Sequence, residues 1–174
     1  MCAGYWAFPV VSLGPAVISS HRFQTLEISM KTLPTTYQYT GNPFTNVEGA
    51  YTTSNFVSGT VTLAGPLAPN MALTSVSPTA FTFSDGMQTF TNLTPSVDFS
   101  FAFATGPTGA ITLWNVNVDT SAQSNLLTVR DGSNDPQDSG QNSFNDRGWN
   151  SSAPGQWTTL SAGPSRTRGL PSQC

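Results

Sequence analysis

Between residues 99 and 104 the chain reads Phe-Ser-Phe-Ala-Phe-Ala, with rings at Phe99, Phe101 and Phe103 and a small residue after each. Successive side chains of an extended strand point to opposite faces, so rings at this spacing line one side of a pleated ribbon; around a helix they would scatter. Phe81-Thr82-Phe83 and Val57-Ser58-Gly59-Thr60-Val61-Thr62-Leu63 carry the same two-residue period. β-Branched and aromatic side chains suit such a half-buried pleated surface. Long helices need Ala, Glu, Lys and Leu in quantity, but only 9% of these 174 residues are charged and Lys31 is the only lysine. A helical bundle is therefore excluded, and the chain is expected to be all-β.

Turn chemistry separates the alternating runs. Ser84-Asp85-Gly86 stands between Phe83 and Met87-Gln88-Thr89-Phe90, and Asp-Gly between two such runs predicts a hairpin because Gly tolerates positive φ. Thr105-Gly106-Pro107-Thr108-Gly109 links the phenylalanine strand to the run from Ile111 to Val118. In that run Ile111 and Leu113 share one parity, whereas Trp114, Val116 and Val118 share the other. A one-residue change of phase predicts a bulge, placed near Leu113 and Trp114. Further strands are expected at Thr36–Thr40, Met71–Val76, Leu126–Val129 and Pro154–Leu160, the last anchored by Trp157. Pro66, Pro69, Pro78 and Pro95 mark loops, since proline cannot donate to a ladder. Residues 131–153, rich in Asp, Asn, Gly and Ser, offer too little apolar surface to offset ordering and are expected to be a long exposed acidic loop.

Charge and chain ends narrow the function. Six Lys and Arg against nine Asp and Glu cannot meet a phosphate backbone, so no nucleic-acid partner is expected. The uncharged run Ala3–Ile18 is interrupted by Pro9 and Pro15 and has its first basic residue, Arg22, on the wrong side for a secretory signal. It is also shorter than the ~20 residues of a spanning helix, so no membrane span is expected. Cys2 and Cys174, one at each end, define neither a disulfide framework nor a zinc site. Residues 1–34 are expected to be a poorly structured leader and 161–174 a disordered tail.

Several short patterns recur in a recognisable order. They begin with Tyr37-Gln38-Tyr39-Thr40-Gly41-Asn42-Pro43-Phe44 and continue with Val57–Leu63, Phe81–Gly86, Gly109–Trp114 and Pro154–Thr158. Over about two thirds of the chain this order resembles the exported domain of bacterial proteins that carry a PEP-CTERM sorting signal. The resemblance implies export, and it carries over no catalytic residue. That family's C-terminal Pro-Glu-Pro, apolar helix and basic cluster are absent from the final residues, which implies a truncated or frame-shifted copy.

Candidate chemistry is sparse. His21, the only histidine, lies in the leader and has no partners for a catalytic triad. Asp85 sits in the predicted hairpin turn, Glu48 in a loop, and Asp98 and Asp119 at strand ends, where charges commonly mark boundaries; none forms an expected catalytic pair. Asp131, Asp135 and Asp138 in the acidic loop offer oxygen ligands of the kind that suits Ca²⁺, but their spacing matches no calcium motif, and a solvated loop whose Asp and Asn residues make local turns explains them better. Tyr37, Tyr39, Tyr51, Trp114 and Trp157 could stack on sugars or fill a core; Trp149, set among polar residues, is the one ring expected to be exposed and the candidate ligand contact. Asn92 and Asn150 begin glycosylation-type tripeptides.

Together these features predict a single antiparallel β-sandwich of jelly-roll or immunoglobulin-like architecture over 35–160. Its expected core is Val57, Val61, Leu63, Phe81, Phe83, Phe99, Phe101, Phe103, Ile111 and Val118, capped by Trp114 and Trp157. The function expected is that of a non-enzymatic exported structural, cell-surface or extracellular-matrix protein without a cofactor. A carbohydrate-binding module that holds an extracellular polysaccharide is the alternative.

Overall fold

A computed structural model describes residues 32–132 and 136–160. These form two antiparallel sheets packed face to face, with no helix among them. The expected leader and tail, with His21, Cys2 and Cys174, lie outside the described residues except for 32–34.

The five-stranded sheet has the order β12 (Gln156–Leu160), β1 (Thr35–Thr40), β3 (Ser58–Leu63), β5 (Ala80–Ser84) and β6 (Thr89–Thr91). The seven-stranded sheet has the order β2 (Asn46–Glu48), β11 (Arg147–Ser151), β10 (Gln137–Gln141), β9 (Asn125–Arg130), β8 (Ile111–Thr120), β7 (Val97–Thr105) and β4 (Thr74–Ser75). From β7 to β11 the chain is a meander of consecutive hairpins. β1 lies between β3 and β12, so the first and last described strands close the smaller sheet.

The two-residue period sorts side chains as alternation requires. On β3 and β5, Val61, Leu63, Phe81 and Phe83 point inward and are buried. The threonines between them face outward; one row across this sheet runs Thr158, Gln38, Thr60, Thr82, Thr91. Opposite them, Phe101 and Phe103 of β7 and Trp114, Val116 and Val118 of β8 complete the interior. Ring contacts join the layers: Phe81 lies 5.3 Å and Phe83 5.9 Å from Phe101, and Phe103 meets Trp157 edge to face at 5.0 Å. Such pairs add about 0.5–1.5 kcal/mol each beyond area burial.

The bulge expected near Leu113 and Trp114 is present, and three other expectations are corrected. The bulge is at Thr112: Ala104 pairs with Leu113 and Thr105 with Ile111, leaving Thr112 as the extra residue. That insertion lets Ile111 and Trp114, of opposite parity, both pack on the core. Phe99 is 46% exposed, because β4 pairs only with Phe103 and Ala102 and ends before reaching it; one flank of its ring still rests on Phe81 at 5.0 Å. The Met71–Val76 strand shrinks to Thr74–Ser75.

The largest correction concerns 131–153, which is not a loop but contributes β10 and β11, joined by a turn at Asn142–Asp146. Asn142 holds that turn: its Oδ1 accepts from the backbone N–H groups of Phe144 and Asp146, and Asn145 takes a positive φ of 65°. Short polar side chains stabilise turns in this way. The inward positions of the hairpin are Asp138 and Gly140 on β10 and Gly148 and Asn150 on β11. None is apolar, so the strands carry no hydrophobic period. The space above them is filled from elsewhere. Gly140 pairs with Gly148; a methyl group on Gly140 would collide with the Asp85 carboxyl, and one on Gly148 with the rings of Phe44 and Tyr51.

Candidate functional site

The carboxylates fall into three sets with different surroundings. Asp85 and Asp138 are fully buried. The Tyr39 hydroxyl donates to Asp138 Oδ1 at 2.6 Å while accepting from the Gly155 N–H at 2.7 Å, a link from β1 in one sheet to β10 in the other. Asn150 Oδ1 accepts from the Asp138 backbone N–H, and its amide donates to the Asn42 carbonyl. Among the described residues Asp138 Oδ2 has no hydrogen-bond partner. Burial pushes this carboxyl up to about 6, with the Tyr39 hydrogen bond pulling the other way. Desolvation and the neighbouring Asp138 charge hold the Tyr39 phenol well above its ordinary range.

Asp85 does two things at once. Its Oδ1 accepts from the N–H groups of Met87 and Gln88, which shapes the β5–β6 turn. Its Oδ2 accepts from the Tyr51 hydroxyl at 2.5 Å and from the Gln88 amide, and that amide also donates to the Gln141 carbonyl of β10. Burial and the hydrogen bond to Asp85 raise the Tyr51 phenol. Both buried acids are thus engaged with tyrosines inside the sandwich, and Tyr37, Tyr39 and Tyr51 are buried, out of reach of a sugar.

The second set is the acidic segment. Asp138 faces the interior. Asp131 accepts from the amide of Asn115, which alternates with the inward Trp114 and Val116 and so lies on the outer face. The sheet therefore separates these two candidate calcium ligands, and Asp135 lies outside the described residues. Among the described residues no group of three His, Cys, Asp or Glu side chains is placed to hold a metal ion. Asn150 is buried, which removes it as a glycosylation acceptor, whereas Asn92 is exposed.

The third set lies on the outer face of the seven-stranded sheet, and here the structure gathers side chains that are far apart in sequence. Trp149 is half-buried there, with the Arg147 guanidinium 5.2 Å from its ring centre. Arg147 also forms an ion pair with Glu48 of β2, Nε to Oε2 at 2.7 Å and Nη2 to Oε1 at 3.2 Å. The Arg147 hydrogen bonds hold the Glu48 carboxyl below its ordinary range. Glu48 is thus not a loop residue but the strand partner of Arg147. A cleft of about 260 Å³ opens beside Trp149, lined also by Asn125, Gln137, Ser139, Gln141 and Arg147.

Register extends this face in two rows across five strands. One runs Trp149, Ser139, Leu127, Asn117, Ser100; the other runs Arg147, Gln141, Asn125, Asp119, Asp98. Asp98 and Asp119, noted in the sequence only as strand ends, are direct cross-strand partners. Like charges so placed repel, and among the described residues no cationic side chain pairs with either. The sequence pointed to Trp149 alone; its neighbours Gln137, Ser139 and Gln141 come from a strand that carries no hydrophobic signal.

No helix among the described residues is long and apolar enough to cross a membrane. No protein-family model, curated protein or solved structure matches the chain.

Proposed function

We propose that this chain is a non-enzymatic exported protein of the cell surface or extracellular matrix, and that it holds to its surroundings by binding polysaccharide on the outer face of the seven-stranded sheet. The observation that carries this reading is the cleft beside Trp149, where one aromatic ring, a guanidinium and several amide and hydroxyl groups converge on an open surface. Sugars present both a hydroxyl rim and a C–H face, and such a surface meets both: amides bond the rim while an aromatic ring takes the C–H face. The Arg147 guanidinium lies over the Trp149 ring, and the ring lines the cleft where the ligand would sit. Export rests on the resemblance to PEP-CTERM-type exported domains, and the charge-poor, hydroxyl-rich surface is in keeping with it.

Affinity electrophoresis through gels containing soluble polysaccharides tests the reading. Retardation by at least one polysaccharide is expected, with the apparent Kd about tenfold weaker in Trp149→Ala. Circular dichroism establishes that the variant is folded. Retardation that is unaffected by the substitution, or no retardation in any gel, overturns the proposal.

A further inference from the structure

Resting on that reading, we infer that the ligand is a linear, uncharged polysaccharide lying across the strands from β11 to β7 rather than a single sugar held at Trp149. Three observations converge. The first is geometric. Neighbouring strands lie ~4.8 Å apart, so the five strands of the two rows span about 19 Å from first to last. That interstrand step is close to the advance per ring of an extended pyranose chain. A glycan laid perpendicular to the strands therefore places about one ring over each strand.

The second observation is chemical. Going away from Trp149, each strand offers the chain at least one neutral hydrogen-bonding group: Ser139 with Gln141, then Asn125, then Asn117, then Ser100. Amides both donate and accept, which suits hydroxyls that do the same. The amide side chains are half-buried and held at register positions of a regular sheet. A site placed on strands is better pre-organised than one on loops.

The third observation is electrostatic and sets the ligand class. Arg147 is neutralised by Glu48 at one end, and Asp119 opposes Asp98 at the other without a cationic partner among the described residues. The face therefore carries net negative charge. Polyuronates and sulfated glycans are repelled by it, whereas neutral polymers are not.

Calorimetric titration of the intact protein with neutral gluco-, xylo- and manno-oligosaccharides from disaccharide to hexasaccharide tests the inference, with polygalacturonate as the anionic probe. Affinity is expected to rise with each added ring and level off at about five rings, one for each strand of the rows. Polygalacturonate is expected not to bind. The double variant Ser100→Ala/Asn117→Ala, both outside the lining of the Trp149 cleft, is expected to weaken the pentasaccharide about tenfold while leaving the disaccharide unchanged. Binding that depends on Trp149 but does not grow with length, or that favours polygalacturonate, overturns the extended neutral site while leaving sugar binding at Trp149 intact. Absence of binding to every probe overturns both.

Discussion

The two ends of the seven-stranded sheet bury different kinds of interior. Around β7 and β8 the core is built of Phe101, Phe103, Trp114, Val116 and Val118 against Phe81, Phe83 and Trp157. Around β10 and β11 the sheet itself contributes Asp138, Gly140, Gly148 and Asn150, and the volume above it is taken by Tyr39, Phe44, Tyr51 and the Asp85 carboxyl. The first interior is held by non-directional burial and ring contacts. The second depends on directional bonds, with Tyr39 reaching Asp138 and Tyr51 reaching Asp85. Hydrophobic packing tolerates small shifts, whereas a buried polar network specifies one arrangement and is costly when half-satisfied. The polar half thus sets how the sheets meet, and on its outer side lies the candidate binding face.

The sharpest way to break this contrast is to remove mass from the apolar half. Phe103→Ala deletes a fully buried ring and is expected to cost about 3–5 kcal/mol, read as a large fall in the midpoint of urea unfolding. A loss under about 1 kcal/mol would show that this half does not carry the core.

The polar half answers to pH instead. The folded state binds a proton on Asp138 more tightly than the unfolded chain does, because burial raises its carboxyl from 3.8 to about 6. The stability contributed by Asp138 is therefore fully present below the unfolded value and is lost as pH rises through the folded one. The decline is expected to amount to about 2–3 kcal/mol between roughly pH 4 and 6. Unfolding of the native protein and Asp138→Asn across that range isolates the contribution: the difference between them should shift with this sign, and a flat difference would remove Asp138 as its source.

A smaller effect probes the glycine seam. Gly140→Ala drives a methyl group into the Asp85 carboxyl and is expected to cost about 1–3 kcal/mol through overpacking. Pairing it with Tyr51→Phe in a double-mutant cycle should show coupling, since both act on one carboxyl. Smallest of all, Arg147→Ala removes a solvent-exposed ion pair. Its thermal midpoint should stay close to that of the native protein, and any difference should shrink in high salt.

How far the fold was legible follows the same division. Phe81, Phe83, Phe101 and Phe103 announced themselves by alternation, as did Val57, Val61 and Leu63, because each strand carries its own share of buried apolar surface. Trp114 and Val118 were equally visible, and their phase shift foretold a bulge two residues or less from Thr112. Phe99 obeyed the same period yet lies 46% exposed, since period assigns a face but not how far the neighbouring strand β4 extends. The hairpin of β10 and β11 was invisible: with Asp138, Gly140, Gly148 and Asn150 facing inward, it has no hydrophobic contrast between its faces. Of the candidate face, Trp149 alone stood out, as an aromatic ring in a polar stretch. Asn117, Asn125, Ser139 and Gln141 looked like ordinary surface residues.

What the sequence by itself determined is the β class, the turn at Asp85-Gly86 and the ring-lined strands, because these depend on spacings of a few residues and on local backbone preference. Only the tertiary structure decided that a polar segment becomes two strands, that Tyr39 and Tyr51 close over buried acids, and that Trp149 shares an outer face with amides from three other strands. Those outcomes depend on distant partners: along the chain Tyr39 is 99 residues from Asp138 and 116 from Gly155. A buried polar group is stable only where such a distant partner meets it, and no local pattern records that meeting.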